Sequence, residues 1–426
     1  MINEAGETMR PDLRFPEFEY EWVQKKIDNL TTKIGSGKTP KGGSANYLSE
    51  GIPFFRSQNI QNGYLNLNDL VYIDSEIDES MKNSKSYFGD ILLNITGASI
   101  GRSAINTLSK THINMNQHVC IIRLKKEFSF NFLGQFLLSP QGQKKIFKAQ
   151  SGGSREGLNF KEIGSIKVNI PKNFDEQEKI GDFFSKLDQQ IELEEQKLSL
   201  LEEQKKGYMQ QIFSQKLRFK DESGNDYPEW EEKKFSELLS YSSNGVDKKI
   251  NKNNDIAYMV NYMDVFKKTK LNTKNRDLLM EITATKIQKE KNNLKKGDIL
   301  FTPSSETRED IAKSTVVFED LDNTVYSYHL IRLRPLDSNI FSLKYSNYLS
   351  EQNFISKQFR RLAQGAQRYT LTKEYFENIK LNLPHIKEQE KIGDFFSKLD
   401  EVINKQSQKV DELKLRKQGF LQKMFV

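Results

Sequence analysis

The sequence predicts an α+β protein built twice over: two mixed α/β domains, related by pseudo-twofold symmetry and separated by two long antiparallel coiled-coil helices. Three observations predict it. EQEKIGDFFSKLD occurs at 176–188 and returns unchanged at 388–400, and the residues behind each copy align without a gap as far as Phe213 and Phe425. In those following stretches apolar residues recur at alternating steps of three and four, the seam of a coiled coil. Ahead of each copy lie ~160 residues of short β-rich runs mixed with helical stretches, an ordinary domain size.

Taken in order, residues 1–15 are polar and without periodicity, and read as a flexible N-terminal segment. The first domain, 16–175, opens at RFPEF and Trp22; the second, 217–387, opens at YPEW and Trp230. WVQKKIDNL at 22–30 is echoed by WEEKKFSEL at 230–238, and GDIL at 89–92 by GDIL at 297–300. The stretch from His118 to Arg123 pairs with that from His329 to Arg334, and Arg155 with Arg368. IPFF, YIDSEI and CIIRL in the first domain, and DIAYMV, STVVF and HLIRLR in the second, read as strands. Between these anchors the halves barely resemble each other, so one scaffold carries two sets of loops.

The repeated helices are placed at 176–216 and 388–426. The first seam is Phe184, Leu187, Ile191, Glu194, Leu198, Leu201, Lys205, Tyr208 and Ile212; the second is Phe396, Leu399, Ile403, Gln406, Val410, Leu413, Lys417, Phe420 and Met424. Each seam has two polar interruptions, which in a coiled coil specify register. Antiparallel pairing that sets Glu194 against Lys417 and Lys205 against Gln406 gives every polar seam residue a complementary partner. A one-heptad slide puts Glu194 against an apolar residue, which is costly. A helix of ~38 residues at 1.5 Å each is a rod of ~57 Å.

At 426 residues the chain is long enough for two cores. Its 65 Lys and Arg against 58 Asp and Glu give a net charge of +7, compatible with a polyanionic partner and equally with ordinary solubility charge. The single Cys120 excludes an internal disulfide and a cysteine-cluster metal site, and His112, His118, His329 and His385 show no ligand spacing. No long apolar run occurs, so the expectation is a soluble cytoplasmic protein with no membrane contact.

GSGKT at 35–39 invites a phosphate-loop reading, but Thr32 stands where that motif needs a glycine, and Pro40 falls in the first turn of the helix that should follow. A glycine-rich turn is the better reading. Asp90 and Asp298 in the two GDIL repeats read as turn residues, and no motif for metal, nucleotide or methyl-donor chemistry is found, so no catalytic or metal-binding residue is assigned.

The candidates for recognition are polar and aromatic loop residues after strands. In the first domain they are Arg56, Ser57, Gln58 and Asn59, then Thr96, Ser99 and Arg102, then Asn116 and Gln117, and finally Ser154 and Arg155. In the second they are Asn261 and Tyr262, then Ser304, Ser305 and Arg308, then Tyr328, and finally Gln367, Arg368 and Tyr369. Arginine can clamp guanine bidentately and Asn or Gln adenine, and glycine lets a backbone approach phosphate. Arg155 and Arg368 lie in the better-matched frame and suit phosphate contact or scaffold pairing better than base reading. Each such residue alone is ordinarily a solvated loop side chain. Their recurrence at equivalent places in two divergent halves is what singles them out.

The order of parts resembles the specificity subunit of type I restriction-modification systems. RFPEF with Trp22, GSGKTP followed by IPFFRSQNI, GDILLNITGASIGR, SGGSREGLNFKEIGSIKVNIP and the two EQEKIGDFFSKLD helices carry the resemblance, with YPEW, KKGDILFTPSS and QGAQRYTLTKEYFENIKLNLP at matching places in the second half. It implies that each domain is a target recognition domain reading one half of a bipartite, asymmetric site in double-stranded DNA, and that the helices are the spacer. It also implies a non-catalytic chain without its own cofactor. Two methyltransferase subunits, holding S-adenosylmethionine, and restriction motor-nuclease subunits, using ATP and Mg, are the implied partners. Two alternatives stay open: a self-sufficient nuclease or methyltransferase, which its missing motifs oppose, and a coiled-coil interaction scaffold that never reads DNA.

Overall fold

A computed structural model of the chain describes residues 10–150, 157–251 and 254–426. They form two compact units, Met1–Gln196 with Ser407–Val426 and Lys197–Gln406.

The first unit holds β1 (Trp22–Lys26), β2 (Thr31–Ser36), β3 (Ile52–Phe55), β4 (Val71–Ile73), β5 (Ile91–Asn94), β6 (Ser103–Ile105), β7 (Asn114–Met115), β8 (Val119–Leu124) and β9 (Lys167–Pro171). An antiparallel sheet runs β2-β8-β5-β6; a second runs β4-β3-β7, with β3 antiparallel to β4 and parallel to β7; β1 pairs with β9. The apolar runs of β5 and β8 are buried because helices cover the sheet, Phe130–Leu138 among them. Trp22, Phe132, Phe136, Phe184 and Phe425 share that core. YIDSEI, expected as a strand throughout, is one only as far as Ile73. Asp74 then accepts the Ile77 amide at 2.7 Å and caps a helix over Ser75–Ser80, a local bond that strand pairing does not offer.

The second unit holds β10 (Glu231–Lys234), β11 (Leu239–Ser242), β12 (Asp255–Val260), β13 (Met280–Ala284), β14 (Ile299–Phe301), β15 (Ser304–Ser305), β16 (Ser314–Val316), β17 (Thr324–Tyr326), β18 (Ile331–Pro335), β19 (Tyr369–Thr370) and β20 (Lys380–Leu383). Its sheets run β11-β18-β14-β16, β13-β12-β17 and β10-β20, the same orders and directions as in the first unit. A fourth pairing, β15 with β19, stands where the first unit has the single bridge between Thr96 and Gly157. The duplicated sequence therefore encodes one topology twice.

Why the thirteen-letter repeat is unchanged becomes clear inside each unit. Two long helices, Phe174–Phe213 and Ile386–Met424, carry it. Glu176 is buried, takes two bonds from Arg14 at 2.6 and 2.8 Å, and accepts the Trp22 indole N–H at 3.1 Å. Glu388 does the same with Arg218 at 3.2 and 2.8 Å and Trp230 at 2.9 Å. Gln177 and Gln389 each accept a backbone N–H, from Ser129 and from Ser342, both at 3.0 Å. Gly181 and Gly393 let a neighbouring helix pass so close that an added Cβ lies 2.4 Å from Asn131 Cβ or 2.6 Å from the Tyr345 nitrogen. Phe184 stacks on Phe425 at 5.7 Å, and Phe396 on Phe213 at 6.0 Å. Each copy is the pedestal to which its own domain is bonded, and almost every letter on the inner face has a packing reason.

Two further expectations need correcting. Arg14 and Phe15, assigned to a flexible lead-in, are anchored: Arg14 by Glu176, Phe15 by an edge contact with Phe183 at 6.1 Å, with the Leu13 amide bonded to the Lys423 carbonyl at 3.0 Å. The register that faces Glu194 with Lys417 is also not adopted. Lys417 pairs with Asp188 at 2.5 Å, Glu194 with Lys409, and Lys205 with Asp400 at 2.8 Å and Glu351 at 3.2 Å. These partners lie more than one helical turn from those expected. The expectation required charges on the seam to meet across it. Long lysine stems instead lie along apolar surface and reach carboxylates beside the seam, which leaves the aromatic stacks to choose the setting. Asp188 with Lys417 and Asp400 with Lys205 are the same pair made twice, since both residues occupy repeated positions.

Candidate nucleic-acid interface

In the first unit the loops leaving β3, β5 and β7 converge. β3 ends at Phe55 and delivers a single helical turn over Ser57–Asn59, closed by Asn59, whose side-chain Oδ1 accepts the Arg56 backbone N–H at 3.0 Å and whose side-chain Nδ2 donates to the Asn66 carbonyl at 3.0 Å. Arg56 donates to the Asp69 carbonyl at 2.8 Å, and its guanidinium lies 5.6 Å from the Tyr47 ring. β5 is tied to this loop by Asn94, which donates to the Ser57 carbonyl at 2.9 Å. Beyond it Thr96 bonds His118 at 2.7 Å, and Arg102 reaches Gln61 at 3.3 Å. The Asn116 amide donates to the Phe55 carbonyl at 3.0 Å, closing the group from the β7 side.

Arg56, Ser57, Gln58, Thr96, Ser99, Arg102 and Gln117 are thus placed on one polar surface, each at least partly exposed. Asn59 and Asn116 are different. Both are buried and their side chains are consumed by their own loops, the Asn116 oxygen taking the His118 amide at 3.1 Å. They shape the surface and do not face outward from it. Ser154 and Arg155 lie outside the described residues. Sequence reasoning missed His118, Asn94 and Gln61, although His118 directly follows Gln117 and could have been taken with it.

GSGKT is neither a phosphate loop nor the turn expected of it: Gly35 and Ser36 finish β2, paired with Ile121 and Cys120 of β8, and Gly37 to Thr39 continue past the strand end. The Gly37 amide donates to the Val119 carbonyl at 3.0 Å and that of Lys38 to the Met115 carbonyl at 2.9 Å, so those donors serve the protein's own strands. A Cβ on Gly37 lies 2.0 Å from the Met115 oxygen. Gly245, its counterpart, is as close to Ser327 at 2.3 Å, although no GKTP surrounds it.

The second unit uses the same strand ends with different chemistry. β12 delivers Asn261, which caps the helical turn Tyr262–Phe266 by accepting the Met263 amide at 2.9 Å, and Asp264 returns a bond to the Asn261 amide at 2.8 Å. Burial pushes the Asp264 carboxyl above its ordinary pKa. The Ser327 amide donates to the Val260 carbonyl at 2.9 Å, which brings Tyr328 to the same end of the sheet, half exposed and with its ring 3.9 Å from His329. A separate group forms on β15 and β19: Arg368 donates to Ser304 at 3.2 Å, and the Arg308 guanidinium lies 4.9 Å from the Tyr369 ring. Gln367 is exposed beside it, whereas Ser305 is buried and accepts the Thr307 amide at 3.3 Å.

At the start of β5 and of β14, the opposite end of each strand from its recognition loop, sits the same salt bridge. Arg123 grips Asp90 through two bonds of 2.8 Å, and Arg334 grips Asp298 at 2.6 and 2.7 Å. Each aspartate also accepts a turn amide, from Tyr87 and from Lys295, as expected of turn residues. The carboxylates raise both guanidinium pKa values. Cys120 lies in the core with its thiol pushed up to about 12 by burial, which leaves it chemically inert. Among the described residues no group of His, Cys, Asp and Glu is arranged to hold a metal ion, and no helix is long and apolar enough to cross a membrane.

Residues 19–203 and 227–415 match the type I restriction modification DNA specificity domain, once in each half. The chain belongs to this family of specificity subunits, whose general role is recognition of DNA sequence. It is 22% identical to the type I restriction enzyme StySPI specificity subunit of Salmonella potsdam over 380 residues, 87% of this chain and 80% of that one. Identity is also 22% to the putative type I restriction enzyme MjaX specificity subunit of Methanocaldococcus jannaschii, covering 93% of this chain and 92% of the relative. The fold is that of the type I restriction-modification S subunit from M. genitalium, with a TM-score of 0.59 at 15% identity over 98% of this chain and 99% of the other.

Proposed function

We propose that this chain reads a bipartite, asymmetric site in double-stranded DNA, one half-site through each domain, and that it does so without catalysis of its own. One observation carries the reading: loops leaving equivalent strands of an identical topology present unlike side chains. In one half these are Arg56, Gln58, Thr96, Arg102 and Gln117; in the other, Asn261, Tyr262, Tyr328, Arg308, Arg368 and Tyr369. A shared scaffold with divergent polar ends is what two different half-sites require, since base identity is read by side-chain donors and acceptors while the frame only positions them. Recognition domains at 16–175 and 217–387 and helices at 176–216 and 388–426 divide the labour. Two methyltransferase subunits bringing S-adenosylmethionine, and restriction subunits bringing ATP and Mg, complete the complex in the cytoplasm. The family membership and the duplicated scaffold support this assembly.

The test is to co-express the chain with its methyltransferase partner, map methyladenine across the host genome, and repeat with residues 16–175 exchanged for those of a relative. One half-site is expected to change and the other to persist. A pattern that is unchanged, or lost at both half-sites, rejects the assignment.

A further inference from the structure

The loops that leave β3 and β12 share more than their place in the sheet. Arg56 and Asn261 stand at the same position, and their amides bond to the side chains of Asn59 and Asp264, three residues on in each case. Four residues further still, both backbones enter the left-handed region: Gly63 at φ +92° in the first unit, Lys268 at φ +53° in the second. Glycine is the expected occupant, because any Cβ there costs about 1–2 kcal/mol. A lysine in that position is strained, and strain of this kind persists only where the surroundings over-determine it.

The surroundings of Lys268 do so. Its ammonium pairs with Glu351, donates to the Asn347 carbonyl at 3.0 Å, and lies 5.2 Å from the Tyr348 ring. Glu351 is shared with Lys205, which also holds Asp400, and Asp400 accepts the Tyr348 hydroxyl at 2.6 Å. Two lysines and two carboxylates therefore close a network between the recognition loop and both long helices, all within the second unit, with burial drawing the Lys268 ammonium pKa down to about 7. Among the described residues of the first unit, the position of Lys268 is taken by Gly63, which brings no cation. Gly63 itself comes up to the helices, where an added Cβ lies 3.3 Å from Leu138 and 3.9 Å from the ammonium of Lys417, the repeat counterpart of Lys205.

We infer that Lys268 is a positioning residue for DNA reading by the second domain: its bond to Glu351 holds the 261–268 loop, and with it Asn261 and Tyr262, at a fixed height on the Lys205–Asp400 pair. The inference rests on the function proposed above. It adds that specificity at one half-site depends on a residue that faces the helices and not the DNA.

Lys268→Gly separates this role from simple stability, because it removes the ammonium while relieving the backbone strain. The variant complex with its methyltransferase partner is titrated against duplexes altered in one half-site or the other, the half-sites having been assigned by the domain exchange. Expected is a loss of discrimination of about tenfold or more at the half-site read by residues 217–387, with the other half-site unchanged. Lys268→Arg, which keeps a cation in reach of Glu351, is expected to retain most of the discrimination. Unchanged discrimination in Lys268→Gly, or an equal fall at both half-sites, overturns the inference. A variant complex that does not assemble hands the decision to Glu351→Gln, read in the same titration with the same two outcomes. Failure of the underlying reading is distinguishable, because the wild-type complex then shows no half-site preference at all.

Discussion

Where the first unit closes its β3 loop with an asparagine and a glycine, Asn59 and Gly63, the second closes the same loop with an aspartate and a lysine, Asp264 and Lys268. Elsewhere in the frame the halves do not differ at all: Glu176 and Glu388 each hold an arginine and a tryptophan, Asp90 and Asp298 each hold an arginine, and Gly37 and Gly245 each allow one stretch of chain to cross another. Buried, fully bonded polar groups resist substitution because losing one partner strands the other. Loop ends at the surface are free of that constraint and can diverge. The difference between the halves is thus a map of where bonding is obligatory.

Removing the obligatory bonds is the strongest way to break the comparison. Glu176→Ala and Glu388→Ala each remove a buried carboxylate, leaving a half-buried arginine and a tryptophan N–H without their acceptor, and are expected to cost their own unit about 3–5 kcal/mol. Because Trp22 stands in the first unit and Trp230 in the second, denaturant unfolding of Trp22→Phe and Trp230→Phe backgrounds reads each unit separately. Similar losses confirm that the two glutamates do one job; a loss under about 1 kcal/mol in either unit shows they do not. Gly37→Ala and Gly245→Ala are expected to cost about 1–3 kcal/mol each by overpacking against a main chain that cannot yield, measured the same way. The smallest effect sharpens the helix register. A double-mutant cycle on Asp188 and Lys417 is expected to give a coupling of about 0.5–1 kcal/mol, and a cycle on Glu194 and Lys417 a coupling near zero. The reverse result restores the register that the seam pattern favours.

Much of the frame was legible in the letters. The duplication, the strands at IPFF, GDIL, CIIRL and HLIRLR, and the helices at both repeats follow from identity and periodicity, and all are present. Other features were hidden for physical reasons. Glu176 on a charged helix reads as a solvated residue, since nothing in its neighbours shows that Arg14 folds back onto it. Asn59, Asn116 and Ser305 look like surface donors, yet short polar side chains satisfy their own loops as readily as a ligand. The register failed because a heptad pattern shows which residues line a seam but not how far a lysine stem reaches beside it. His118 was read only as part of the repeated frame and as a histidine without ligand spacing, while its ring bonds Thr96 on the polar surface.

The first unit's core contains Leu421, Met424 and Phe425, whereas the second unit is one unbroken stretch from Lys197 to Gln406. On the ribosome this inverts the order of birth and completion. The domain synthesised first must wait, with Phe132, Phe136 and Phe184 lacking the ring of Phe425, until every residue of the second has been made. The later domain can close first, and the earlier one spends that interval with part of its apolar interior uncovered, the interval in which chaperones and aggregation compete for such surfaces.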